Sequence, residues 1–312
     1  MLNDIYNRAL DITIIIHVPL KLASIYVVYR YSPKSMEALP MFLLNVMFWN
    51  FVTNFLSSIF HVTPLFPANC FRADGLIRLI TKNELVYHIL FAAIFTCLLN
   101  TALALSLAFP YRYFVFAYPD QVKRVKIWWG AIICMVLHVT FGYIFASSYI
   151  SNIIYYDDYP VKAELPPRDG AFCFRPYSWK FPALTLVAAT IVLTFSTLLW
   201  RSLHKMRALM SKQTLELHRK YLLYLLIVTA VPLVFGGLPL ILCNTCALFP
   251  RMKFATEMDM IGILVLMNHG AIYSIVSIIT FKPYMDAARR AIRRVLRKKA
   301  TVTSVHVVSL NG

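Results

Sequence analysis

The densest group of carboxylates in this chain, Asp157, Asp158, Glu164 and Asp169, falls in one stretch, IIYYDDYPVKAELPPRDGAFCFRPY. Paired carboxylates on rigid elements can divide acid and base roles. These four are strung between Pro and Tyr residues and read instead as a solvated lid or ligand-entry loop. CNTC, from Cys243 to Cys246, is a lone Cys-x-x-Cys. Zinc needs a second ligand pair, so a loop disulfide or two free thiols is the better reading. No P-loop, Gly-x-Gly-x-x-Gly, His-Glu-x-x-His or Gly-x-Ser-x-Gly motif occurs. The expectation is no catalytic residue, no metal and no cofactor, in a chain that is not an enzyme.

The remaining candidates stand singly inside long apolar runs: Lys21, Asn45, Asn50, Asn54, His61, His88, Asn100, His138, Asn268 and His269. Polar side chains in such surroundings are costly and mark either function or hydrogen bonds between helices. Lys21, about mid-run, needs a partner, and Asp11 and Asp259 are candidates.

The runs that must position them set the architecture. Hydrophobic residues make up 59% of the 312 positions and charged residues only 14%, too few to coat a soluble protein of this size. The bilayer is therefore the solvent. A helical span needs about 20 apolar residues, and seven runs qualify: 9–29, 40–62, 85–109, 127–150, 181–200, 221–243 and 259–281. None alternates as a barrel strand does. The fold class is an all-α membrane protein, a seven-transmembrane helix bundle over residues 1–285 followed by a basic helix and tail over 286–312.

Charge orients the bundle. Of the 31 Lys and Arg residues, 20 fall in the first, third and fifth connections and the tail. By the positive-inside rule these are cytoplasmic and the amino terminus is extracellular. The charge is thus assigned to topology, with no nucleic acid partner. After Phe281, Lys-Pro breaks the last run, and Arg289, Arg290, Arg293, Arg294, Arg297 and Lys298 recur in pairs four apart. Opposite them lies a stripe of Ala287, Ala288, Ala291, Ile292, Val295 and Leu296. Such a helix lies along the inner leaflet and attracts anionic lipid. In the outer half of the third run His88 stands near Phe91 and Phe95. With Tyr143, Tyr149, Phe181, Met267 and His269 they form the expected wall of an outward-opening cavity for a small, mostly apolar ligand.

Several segments carry a resemblance. HVPLKLASIYVVYRYSPKSM, FLLNVMFWNF, MSKQTLELHRKYLLYLLIVTAVPLVFGGLP and NHGAIYSIVSIITFKPY occur in that order between about residues 17 and 290. Together they resemble the nematode serpentine chemoreceptors of the Str superfamily, nearest the Srh group, which are G-protein-coupled receptor-like. The resemblance implies a chemosensory receptor in the cell membrane, including that of sensory cilia, with a small-molecule ligand and a heterotrimeric G protein as partners. It implies a switch or transducer contact at Arg112 and Tyr113 and on the third cytoplasmic connection, at Lys205, Arg207 and Lys212. It also implies a disulfide between Cys70 and Cys173, tying the loop before the third span to the long fourth-to-fifth connection. This sequence has PYRY at the inner end of the third span, where the group has an acidic neighbour before Arg-Tyr.

The alternatives are a seven-span transporter or ligand-gated channel, and a lipid-modifying enzyme. Carboxylates near mid-membrane would suit the transporter, but Asp11 and Asp259 sit at run ends. A catalytic cluster would suit the enzyme, and none is present in the sequence.

Overall fold

Long apolar runs satisfy their own backbone polar groups only as helices when no water is at hand. The computed structural model follows that rule. It describes residues 2–33, 39–124, 127–175, 226–291 and 293, with a few isolated positions between 190 and 224. Among the described residues six helices are long and apolar enough to cross a membrane. We number the helices in chain order: α1 Leu2–Tyr31, α2 Leu39–Phe60, α3 Ile77–Ile80, α4 Glu84–Ala117, α5 Pro119–Arg124, α6 Ile127–Ile150, α7 Leu226–Leu248 and α8 Ala255–Thr280. The expected fifth span, 181–200, lies outside the described residues except for isolated positions.

α1 starts a full two turns before its apolar run. Tyr6 secures the added turns, since it is buried and its hydroxyl donates to the Val62 carbonyl at 2.9 Å. α4 starts at Asn83, whose side chain accepts from the Leu85 amide at 2.9 Å and caps the first turn. α6 turns its bulk outward, with Trp128, Ile133, Met135 and Val139 all exposed, as suits a surface that lipid covers.

The connections are more ordered than a lid of Pro and Tyr suggests. Val62–Pro64 (β1), Cys70–Ala73 (β2), Ile153–Ile154 (β3) and Ala171–Phe174 (β4) form one antiparallel sheet in the order β1-β2-β4-β3. β4 is wholly buried. The bundle is therefore helical with a small sheet across one end, and the 151–175 stretch is in part a strand pair. The strands, two to four residues each, are too short to register in a hydropathy reading, which causes the difference. Phe172 and Phe174 bury against Phe60, Tyr87, Phe91 and Tyr149, which carries the sheet onto α2, α4 and α6.

Cys70 and Cys173 face each other across β2 and β4 and are bonded. Gly75 makes the return from β2 possible. A Cβ there would lie 2.2 Å from the Ile59 carbonyl oxygen, so no other residue fits without moving backbone. Four acidic residues of the sheet end, Asp74, Asp157, Glu164 and Asp169, are engaged in ion pairs. Asp74 receives Arg72 at 2.6 Å and Arg78 at 3.4 Å; Arg78 also binds Asp169. Asp157 meets Arg168 at 2.8 Å, and Glu164 meets Arg251 at 2.5 Å.

At the other end of the bundle α8 stops at Phe281, and residues 282–291 are helical again. Pro283 sits in the first turn of this second segment, where its missing N–H costs nothing. Tyr284 is buried, and its hydroxyl is 2.8 Å from Ser32 Oγ just beyond α1. Of the expected apolar stripe Ala287 is buried, Ala288 half-buried and Ala291 exposed, while Arg289, Arg290 and Arg293 are exposed as expected; Ile292, Val295 and Leu296 lie outside the described residues. Arg294 and Arg297 lie outside the described residues.

Candidate functional site

Among the described residues the bundle interior holds a cavity beneath the sheet and, deeper down, two polar knots. The cavity has a volume of about 120 Å³ and is bounded by α1, α2, α4, α7, α8 and the sheet. Its wall is mostly apolar, including Leu10, Phe91, Phe95, Phe174, Leu240 and Met267. Polar groups come from Asn69, Asn152, Arg175, Asn244 and Asp259. An enclosure of apolar surface with a few convergent polar groups is the usual form of a small-molecule site.

Of the residues expected on this wall, Phe91, Phe95 and Met267 line it. Four do not. His88 is buried behind the sheet, its Nδ1 3.2 Å from the Tyr149 hydroxyl and its ring edge-on to Phe172 and Phe174. Phe174 thus stands where His88 was expected. Tyr149 packs into that same aromatic cluster. Tyr143 points away from the bundle and is 74% exposed, because α6 directs that face to lipid. His269 belongs to the knot. Phe181 lies outside the described residues. The wall residues overlooked were Asn69, Asn152, Arg175, Asn244 and Asp259. Asp259 was legible, as a lone carboxylate just inside an apolar run. The others sit in connections or at a run end, and only the fold brings them inward.

The knot joins α1, α2 and α8. Lys21 is 1% exposed and its ammonium has three acceptors: the Asn50 carbonyl at 3.2 Å, Asn50 Oδ1 at 3.3 Å and Asn54 Oδ1 at 2.7 Å. Neither expected carboxylate partner is there. Asp11 lies 3.5 Å from His61 and is mostly exposed, because it starts a face of α1 that the sheet end overlooks. Asn54 Nδ2 donates to the Met267 carbonyl at 2.6 Å, and Asn50 Nδ2 lies 3.1 Å from His269 Nε2. His269 Nδ1 contacts the Leu266 carbonyl, so partner chemistry puts the ring proton on Nδ1 and leaves Nε2 to accept from Asn50.

Gly270 makes room for the knot. A Cβ on it would fall 1.9 Å from Asn50 Oδ1 and 2.5 Å from Lys21 Nζ. Beside it, α7 carries a π-helical turn, Leu233–Gly237, that sets Gly236 against the His269 ring. A second knot ties α2, α4 and α6: His138 lies 2.9 Å from Asn100 and 3.1 Å from Asn45.

At the end opposite the sheet, α4 continues through positions 112 and 113; the Arg112 and Tyr113 side chains lie outside the described residues, as do Lys205, Arg207 and Lys212.

Comparison of the chain with curated proteins finds no match. A family model described as "Serpentine type 7TM GPCR chemoreceptor Srh" matches residues 2–294. That range takes in every described helix, the sheet, the cavity and both knots. The chain belongs to the Srh family of serpentine seven-transmembrane chemoreceptors.

Proposed function

We propose that the chain is a chemosensory G-protein-coupled receptor whose ligand, a small organic molecule from outside the cell, occupies the cavity beneath the sheet. The observation that carries the reading is the cavity's composition and place: an apolar enclosure with few polar groups, under a disulfide-tied cover at one end of the bundle. The amino terminus is extracellular and the tail cytoplasmic. Twenty of the 31 Lys and Arg fall in the first, third and fifth connections and the tail, which agrees with that orientation.

The same reading places a heterotrimeric G protein at the opposite end. There Arg112, Tyr113, Lys205, Arg207 and Lys212 offer a basic docking surface, and Arg289, Arg290, Arg293, Arg294 and Arg297 meet anionic lipid. The fifth span of this arrangement, 181–200, joins the six described ones to make seven. A ligand that fits one packing of the helices better than another shifts their population, which opens the docking surface.

The test is a second-messenger assay on cells expressing the chain, run with volatile and water-soluble attractants and with each G-protein class disabled in turn. A response that depends on one class supports the reading. A ligand response that survives loss of every class rejects it. Epitope tags at Met1 and Gly312 test the orientation: only the first should be detected on intact cells.

A further inference from the structure

Every carboxylate but one at the sheet end is either paired or set in water. Asp74, Asp157, Glu164 and Asp169 all have arginine partners. Asp259 is 2% exposed, yet no described Lys, Arg or His lies within ion-pair distance of it. The neighbouring groups do not replace a cation. The Tyr6 hydroxyl donates to the Val62 carbonyl, and the Lys21 ammonium is turned to Asn50 and Asn54. Cys243, whose thiol hydrogen-bonds the Asp259 carboxyl and lies 3.8 Å from its backbone carbonyl oxygen, is a weak neutral donor and brings no charge. Asp259 is the fifth residue of α8, beyond the first turn where a helix terminus supports an anion.

A buried carboxylate without a counter-charge is costly. This one lines the cavity, so the missing partner has a place to bind. We propose that the cavity takes a small organic cation, an alkyl- or arylammonium, with Asp259 as its counter-charge. This rests on the reading of the cavity as the ligand site and names the chemistry of its occupant.

Arg175, the other charged residue of the wall, is a cation and disfavours an ammonium beside it, so the ammonium is assigned to the Asp259 and Asn244 side and the tail to the aromatic residues. Asn244 spends its amide nitrogen on the Leu240 carbonyl at 2.7 Å, which leaves its oxygen as a second acceptor for an ammonium N–H. Phe91, Phe95 and Phe174 offer ring faces and edges to an aryl or alkyl tail.

The experiment uses the full chain purified in lipid nanodiscs, with no G protein present. Binding of hexylamine is compared with that of hexanol, and benzylamine with benzyl alcohol, at about pH 7, where an aliphatic ammonium of pKa ~10 is charged. The amines should bind at least about tenfold more tightly than their alcohols, the scale of one charge-assisted contact. Asp259→Asn should remove that preference while alcohol binding persists and shows that the cavity is intact. Asp259→Glu should retain it. If Asp259→Asn does not fold, the wild-type ratio and Asp259→Glu decide. Equal binding of amine and alcohol, an unchanged ratio in Asp259→Asn, or no binding by any probe overturns the proposal. Equal binding with a G-protein-dependent response to other compounds would leave the receptor reading standing and remove only the cation.

Discussion

Replacing Gly270 by Ala should cost this protein more stability than any other single added methyl on its helices. A Cβ at this position would fall 1.9 Å from Asn50 Oδ1, where ordinary contacts are well over an ångström longer. The Asn50 side chain cannot retreat without giving up its contacts with Lys21 at 3.3 Å and with His269 at 3.1 Å. Two costs then add. Forcing a methyl into a filled interior costs about 1–3 kcal/mol. Leaving a buried ammonium short of an acceptor costs about 1.5–3 kcal/mol more. The sum, about 2.5–6 kcal/mol, is several times the roughly 0.6 kcal/mol of an ordinary interhelical hydrogen bond in a membrane. Gly130→Ala in α6 is the control, since a Cβ there meets nothing within 4 Å. Reversible unfolding of the purified protein by titration with SDS reads both. Gly130→Ala should be close to neutral. In an Asn50→Ala background the nearest obstacle to the new methyl is gone and only the flexible end of Lys21 must shift, so Gly270→Ala should cost at least about 1 kcal/mol less than in wild type. If Gly270→Ala unfolds no earlier than Gly130→Ala, or its cost is the same in both backgrounds, the account of the knot is wrong.

Three more outcomes can be measured. Cys70→Ala, Cys173→Ala and the double substitution should each lose the same stability, about 2–4 kcal/mol, because one bond joins the two residues across β2 and β4; unequal or additive losses would count against the bridge. Arg289, Arg290, Arg293 and Arg294 replaced together by Gln should lower surface delivery or coupling while the unfolding midpoint stays unchanged, since the three that are described are exposed; normal trafficking and signalling would exclude the inner-leaflet role. Arg78, by hydrogen bond and charge, holds the Asp169 carboxyl below the usual carboxylate range. A carboxylate shifted downward contributes its stabilisation above its unfolded pKa and loses it as pH falls through the folded one. The stability difference between wild type and Asp169→Asn should therefore be constant from about pH 8 to pH 5 and close only below about pH 4; a difference that closes near neutrality would contradict the pairing.

Much of the helical architecture could be read from composition, because the bilayer imposes one demand on every residue of a span. Few charges and runs of about 20 apolar residues have no other solution, and each described long helix coincides with such a run. The amphipathic segment after Phe281 was legible for a related reason: Pro283 and the paired arginines act locally, over one or two turns. The sheet was not legible. Its strands run from two to four residues, and each becomes a strand only through partners up to a hundred residues away.

The sites divide along the same line. That Lys21, Asn50, Asn54 and His269 needed hydrogen-bond partners followed from their position in apolar runs. Which partners they found did not, since Lys21 chose two asparagines over either carboxylate. Lining the cavity was settled by helix rotation, which turned Tyr143 to the surface, and by the sheet, whose Phe174 stands against His88. Asp259 was visible as a residue, but its isolation was not. Hydropathy records what each side chain asks of its solvent, and packing alone decides which of those requests is met by a neighbour.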